Sequence, residues 1–377
     1  MKILYCISFT SNSGGMERIL TDKVNYLSDK LDYDISIVTT DQKGDKPFYP
    51  LSPKVKTIDI GVNYRELKNL PFIKKVLKFR EKTKLHKKKL KKLINETRPD
   101  IIVSLYGNES YFLNKINGGS KTVLEIHFSR YFRKQMERKN IWKYVDKFKD
   151  IRDAWKIKKF DRFVVLTEED KGYWGNTGNI TVIPNFVKVY AGMVSDLNKK
   201  NVLAVGRISH QKGYDLLLKI WEIASVKNPD WTLTIIGNDS GNGEREKLLV
   251  NIKEMNLEKS VIVKDPTDKI ELEYIYSSVY VLPSRYEGLP LVLLEAMKHG
   301  LPSVCFECKC GPRDVITDKK DGFLVEEGNV EVFAHRLMEL MESYELRKSM
   351  SSAAIEKEKT FDEDAIMNKW KELFEKL

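Results

Sequence analysis

Two glutamates, Glu287 and Glu295, with seven residues between them, lie in the stretch Ser-Arg-Tyr-Glu-Gly-Leu-Pro-Leu-Val-Leu-Leu-Glu-Ala-Met-Lys-His-Gly. Gly288 lets the backbone approach a ligand, and Pro290 suits a first helical turn, where its missing N–H costs nothing. The N–H groups around Leu289 and Leu291 then point out of a helix start, which attracts phosphate. Glu295, further along the same helix, would repel phosphate but accepts hydrogen bonds from sugar hydroxyls. Earlier in the chain Gly206-Arg207 ends one apolar run and Lys212-Gly213 opens the next helix. Cations so placed neutralise a diphosphate, the arginine by two parallel hydrogen bonds. His127 closes Lys-Thr-Val-Leu-Glu-Ile-His, at a strand end of the kind where ligands of open α/β sheets gather. Gly14 and Gly15, in Ser-Asn-Ser-Gly-Gly-Met-Glu-Arg, make a loop opening a helix, either a plain turn or a backbone cradle for phosphate.

These residues need strand ends and helix starts to hold them. Apolar β-type runs at 3–7, 35–39, 55–60, 101–105, 122–126, 163–166 and 181–183 alternate with helical spacing. A second series follows at 202–205, 232–236, 261–263, 279–282 and 303–306. Strand after helix predicts parallel sheets covered on both faces, so the chain reads as α/β, two doubly wound halves in tandem. A length of 377 residues accommodates both. Residues 187–200 lose apolar periodicity and read as a linker between them, and 361–377 reads as an amphipathic helix.

With Gly-Leu-Pro after the first glutamate, Glu-Ala-Met around the second, Gly-Arg before Lys-Gly, Ile-Pro-Asn at 183–185 and Gly-Gly-x-Glu-Arg at 14–18, the chain resembles the retaining family 4 glycosyltransferases of the GT-B fold, glycosyltransferases group 1. The glutamate spacing alone also fits an ordinary βα unit with two surface carboxylates. The resemblance spans nearly the whole chain and departs in detail at Ile-Ser-His-Gln between the two cations. It implies two Rossmann-like domains facing across a cleft, an acceptor domain over 1–186 and a nucleotide-sugar domain over 187–360, with 361–377 crossing back to the first. It also implies roles. Arg207 and Lys212 stabilise the departing diphosphate, Glu287 and His127 contact the transferred sugar, and Glu295 binds the ribose. Gly206, Gly288, Leu289, Pro290 and Leu291 line the donor, and Gly14 and Gly15 border the acceptor. No metal and no other cofactor is implied, the nucleotide sugar being a co-substrate. Gly-Pro-Arg at 311–313 resembles members adding hexoses or N-acetylhexosamines to lipid-linked glycans. The expected activity is therefore retaining hexosyl transfer from a nucleotide sugar, UDP first among candidates, to a glycan or lipid-linked acceptor in bacterial capsule-type polysaccharide synthesis.

A net charge of +11 calls for anionic partners. Residues 64–92 and 129–160 mix lysines and arginines with apolar and aromatic residues at helical spacing. That pattern suits either the surface of an anionic membrane or solvated helices with one face on the core. No nucleic acid is expected, because no zinc spacing or RNA-recognition signature accompanies the charge. No run approaches a bilayer span, and the N-terminus reads as a first strand without a cleavage site, so the expected location is cytoplasmic, peripheral on the inner membrane face. Cys6, Cys305, Cys308 and Cys310 read as reduced thiols, the last three too few for a structural zinc site. Asp32-Tyr33-Asp34 has the form of a metal motif but leads straight into a strand, as a turn does. Two rivals remain on this reading: a non-catalytic basic membrane- or nucleic-acid-binding protein on the same fold, and a GT-B epimerase or phosphorylase.

Overall fold

The computed structural model describes residues 1–135, 141–175, 177–188, 193–239, 241, 243–267 and 269–377. Parts of the second basic stretch, of the loop 238–243 and of the segment 263–268 therefore lie outside the described residues. The chain divides into two compact units, one of residues 1–127, 138–183 and 366–377, the other of 128–137 and 184–365.

In the first unit seven parallel strands lie in the order β3-β2-β1-β4-β5-β6-β7: β1 Lys2–Ile7, β2 Asp34–Thr39, β3 Lys56–Asp59, β4 Ile101–Ser104, β5 Lys121–Glu125, β6 Arg162–Val165 and β7 Ile180–Val182. Helices α1 Gly15–Asp29, α2 Phe72–Thr97, α3 Phe132–Gln135, α4 Ile141–Ile157 and α5 Glu168–Trp174 punctuate them, α3 falling in the second unit. The near-continuous apolar runs of β1, β2 and β4 are buried on both faces. Edge strand β3 is mostly exposed and carries Lys56, the kind of charge that blunts an edge. Arg98, in the left-handed region at φ 46, closes α2 by donating its N–H to Ile94 O.

The second unit holds six parallel strands in the order β10-β9-β8-β11-β12-β13: β8 Asn201–Val205, β9 Thr232–Ile236, β10 Val261–Lys264, β11 Val279–Leu282, β12 Ser303–Phe306 and β13 Gly322–Val325. Its helices are α6 Tyr214–Lys227, α7 Glu244–Glu254, α8 Ile270–Ile275, α9 Leu291–Lys298, α10 Pro312–Val315, α11 Val330–Glu342 and α12 Tyr344–Glu358. Trp221, Leu217, Phe306, Phe333 and Leu337 make one apolar core between helices and sheet. Both sheets reverse strand order once, at β1/β4 and at β8/β11, and the crevice outside such a reversal is where ligands bind.

Three features depart from the sequence-based expectation. β13 is an added sixth strand, hidden because Gly-Phe-Leu-Val is too short to show a period. Residues 193–200 are not a free linker: buried Leu197 gives its carbonyl to Arg347, and Ser195 Oγ donates to Ser277 O at 2.5 Å. Residues 128–137 leave the first half of the chain to join the second unit. The last helix, α13 Glu363–Glu375, buries Ile366, Met367, Trp370, Leu373 and Phe374, and from Ile366 on it belongs to the first unit.

Candidate functional site

In the second unit the carboxyl ends of β8 and β11, neighbours in register at Val202–Val279, bring the sequence motifs together. Beyond β8 the chain runs through Gly206 and Arg207 into a single 3-10 turn, His210–Lys212, and Gly213 starts α6 in the left-handed region at φ 68. A Cβ at Gly213 would stand 2.1 Å from Pro283 O, and one at Gly237 would stand 2.0 Å from Gly206 O, so close backbone approach demands glycine at both. The loops beyond β8 and β11 are stitched together. Arg285 N–H donates to Gln211 O at 2.9 Å, Gln211 Nε2 donates to Tyr286 O at 3.0 Å, and the Arg285 guanidinium grips Asp215 with bonds of 2.9 and 2.6 Å.

Held this way, Lys212 Nζ donates to Glu287 Oε1 at 2.7 Å, both side chains nearly buried. Arg207 is exposed, and among the described residues no carboxylate pairs with it. Its charge is felt by Tyr286, whose phenol is pushed up by burial and by Glu287 and lowered by Arg207. Tyr214, its phenol raised by burial and then by Glu287, donates to Gly206 O at 2.9 Å and fixes the strand end. Burial, then Glu287, raises the thiol of Cys308 as well, so the glutamate's field reaches the cysteine segment.

Pro290 is the N-cap of α9 and not a residue of its first turn: its extended ψ of 107 lets its carbonyl accept the N–H of Leu293 at 3.0 Å. Gly288, Leu289 and Leu291 flank that start, whose first N–H groups have no partners within the helix. Gly311 lies against the same loop; a Cβ there would meet Gly288 O at 2.6 Å. Glu295 sits buried on α9, its Oε2 accepting from Tyr274 OH at 2.8 Å, with His299 stacked on the Tyr274 ring at 5.3 Å. Nothing in the spacing of the sequence marks Tyr274 as a partner of Glu295.

In the first unit His127 Nε2 lies 3.0 Å from Glu125 Oε1, and Glu125 also accepts a hydrogen bond from Lys23 of α1. All three are buried. Burial works to raise the Glu125 carboxyl, but Lys23 and His127 outweigh it and hold the carboxyl at about 2. The same burial lowers Lys23, a fall its ion pair with Glu125 opposes. Lys23 Nζ also sits 3.8 Å from the Trp370 ring centroid, a cation–π contact that the dry surroundings strengthen. Alternation along β5 carried the signal for Glu125, since residues two apart share a face. Gly14 is the N-cap of α1, and the Glu17 carboxylate covers it, 2.2 Å from where a Cβ would stand.

Asp32 and Asp34 each pair with a surface lysine, Lys54 and Lys56. Among the described residues no group of three or more His, Cys, Asp and Glu is placed to hold a metal ion. The Cys310 thiol donates to Ser129 Oγ at 3.2 Å. No described helix is long and apolar enough to cross a membrane.

Residues 13–189 match the family model described as Glycosyltransferase Family 4, and 192–357 match the one described as Glycosyl transferases group 1. An uncharacterised glycosyltransferase of Haemophilus influenzae is 32% identical over 98% of this chain and 99% of its own. The amylovoran biosynthesis glycosyltransferase AmsD of Erwinia amylovora is 30% identical over 99% of each chain. Among solved structures, Anabaena HepE in complex with UDP-glucose superposes with a TM-score of 0.76 at 17% identity, covering 100% of both chains.

Proposed function

The chain belongs to the group 1 glycosyltransferases, with the GT-B fold, and on that premise we propose that it moves a hexose or N-acetylhexosamine, with retention, from a UDP-sugar to a glycan or lipid-linked glycan of a bacterial surface polysaccharide. The observation that carries this reading is the Lys212–Glu287 pair beside Arg207, which has no carboxylate partner among the described residues, at the sheet's order reversal. Arg207 and Lys212 take the diphosphate as its bond to the anomeric carbon breaks, and the α9 start at Gly288–Leu291 adds N–H groups to the charge that develops there. Glu287, already bonded to Lys212, accepts hydrogen bonds from the transferred sugar; Glu295, oriented by Tyr274, accepts them from the ribose. His127, its Nε2 3.0 Å from Glu125 Oε1, offers its ring to a sugar hydroxyl. The acceptor hydroxyl oxygen bonds to the anomeric carbon on the face the diphosphate leaves, as the carbon–oxygen bond to the diphosphate breaks and the hydroxyl proton passes to the departing diphosphate oxygen. No metal is needed where two cations and a helix start meet the leaving charge. The UDP-glucose bound by HepE supports UDP as the nucleotide, and the Erwinia relative's role in amylovoran synthesis supports a polysaccharide product.

The first unit supports work at the inner face of an anionic membrane. Tyr144, Phe148, Ile151 and Trp155 form an exposed stripe along α4, and Phe72, Ile73 and Leu77 form another on basic α2. Flotation with anionic vesicles tests this; protein left at the bottom at low salt refutes it. For the reaction, thermal shift and slow hydrolysis are measured against UDP-, GDP- and ADP-sugars with and without chelator. UDP-sugars are expected to stabilise the protein and to be hydrolysed despite chelator. Stabilisation by none of them overturns the transferase reading.

A further inference from the structure

Glu295 lies within α9, one turn below Leu291, the first residue of the helix, and on the same face. Helical side chains lean toward the N-terminus, which brings its carboxylate back toward the start of α9. The helix thus fixes where the carboxylate is, but not how it is turned. Rotation about the last bond of a glutamate is broad and nearly two-fold, so a partner has to set the plane of the two oxygens. Tyr274, in the last turn of α8, is fully buried and does this: its hydroxyl donates to Glu295 Oε2 at 2.8 Å, with Val292 O at a longer 3.3 Å. A tyrosine that only packed α8 on α9 could satisfy its hydroxyl at Val292 O; here the shorter, charge-assisted bond goes to the carboxylate.

The phenol is itself braced. Its ring stacks on the His299 imidazole at 5.3 Å, with 16° between the planes, and lies 6.1 Å from the ring of Tyr280 on β11. His299 is tied at two points to the segment before β8. Its Nδ1 lies 2.9 Å from Met193 O, which as a carbonyl can only accept, and its own carbonyl accepts the N–H of Ser195 at 2.9 Å. Glu295, Tyr274 and His299 therefore form a column of buried side chains inside the second unit, anchored at its far end.

We propose that Tyr274, braced by His299, makes the donor site select a ribonucleotide over a deoxyribonucleotide, by holding the Glu295 carboxylate in the plane that receives the ribose hydroxyls. The inference rests on the transferase reading, in which Glu295 takes the ribose, and adds the residue that determines specificity there. A carboxylate already held in place loses no rotational freedom when a hydroxyl arrives, and it lacks that donor when the hydroxyl is missing. A carboxylate able to turn loses that freedom on binding and discriminates less.

The test is calorimetric titration of the full chain with UDP, GDP and ADP, and with the 2′-deoxy and 3′-deoxy forms of each. The nucleotide that binds is expected to do so at least roughly tenfold tighter than one of its deoxy forms, the effect of one hydrogen bond to a charged group. Tyr274→Phe removes one oxygen and keeps the stack on His299, so the variant folds, which its melting curve verifies. It is expected to weaken the ribonucleotide and bring the preference within about threefold, with the deoxy form bound as in the wild type. His299→Leu removes the brace and leaves the phenol in place, and is expected to lower the preference roughly threefold, the effect of one aromatic contact. Added to Glu295→Gln, Tyr274→Phe should cause no further loss, because it acts through that carboxylate. Equal weakening of both forms by Tyr274→Phe would make it a packing residue and overturn the proposal. A preference that it leaves unchanged or raises, or a further loss in the double variant, would do the same, and a preference untouched by His299→Leu overturns the brace. A wild-type chain that binds a nucleotide without preference also overturns the proposal but leaves the transferase reading standing. Binding of none of the three overturns that reading itself, and the selectivity with it.

Discussion

Glu125→Gln removes one charge from a buried pair while keeping the side chain's shape. Lys23 and Glu125 are each only 1% accessible at the side chain, so the substitution strands an ammonium in a dry site. Breaking such a pair from one side costs roughly 3–5 kcal/mol. The titration of Glu125 gives a similar figure: the interval from the ordinary 4.5 to about 2 is worth about 3 kcal/mol at 1.36 kcal/mol per pH unit. The Trp370 ring below Lys23 returns about 1–2 kcal/mol of this, and the lowering of Lys23 by burial shows that the pair's net contribution is smaller than the cost of breaking it. The expected loss is therefore about 2–4 kcal/mol, read as a drop of about 5–15 °C in the first unit's calorimetric transition. Because the folded carboxyl titrates below the unfolded one, the stabilisation is fully present above about pH 4.5 and lost as pH falls toward 2. Replacing both partners, Lys23→Met with Glu125→Leu, should recover most of the loss, since no charge is then left unpaired. A single variant losing under about 1 kcal/mol, or a double variant as unstable as the single, would refute the reasoning.

Lys212→Ala is expected to lower kcat for hydrolysis of the UDP-sugar by roughly 10²–10³-fold through lost stabilisation of the leaving diphosphate; a change within threefold contradicts that role. Glu287→Ala should abolish turnover while vesicle flotation stays at the wild-type level, and loss of flotation would tie the two together against the proposal. Burial holds the His86 imidazole down at about 4 from 6.5, so the folded protein resists its protonation. Stability contributed by neutral His86 is full above about pH 6.5 and falls by about 3 kcal/mol as pH drops toward 4, a slope that His86→Gln should remove from denaturant midpoints taken across that window. Gly213→Ala would drive a Cβ to 2.1 Å from Pro283 O at a φ of 68; a loss of at least about 2 kcal/mol in urea unfolding, with weaker donor binding, is expected, and a wild-type midpoint would show that the two loops do not meet as described.

Strand, loop and helix start are local events, and the chain announced them locally. The runs of Val, Ile and Leu mark the strands, and the glycines at 206, 213 and 288 and the cations at 207 and 212 mark the loops and helix starts that follow them. The two parallel sheets and the donor-side motifs could therefore be read from the sequence, and the structure brings Lys212 and Glu287, 75 residues apart, into contact at neighbouring strand ends. What could not be read is whatever needs two distant segments to meet. Lys23 and Glu125 are 102 residues apart, and each alone looks like an ordinary charge; only burial, with Trp370 of the last helix against Lys23, turns them into a pair beside His127. Tyr274 meets Glu295 through the packing of one helix on another, and Leu197, 150 residues before Arg347, becomes an anchor in a segment whose composition said linker. Arg65, Lys75 and Asn108, which line one cavity of the first unit, belong to the same class, since they sit on three separate elements. Periodicity and composition decide which face of an element is apolar; which distant charges share a dry site is decided by tertiary packing, because only there does the cost of desolvation force them to pair.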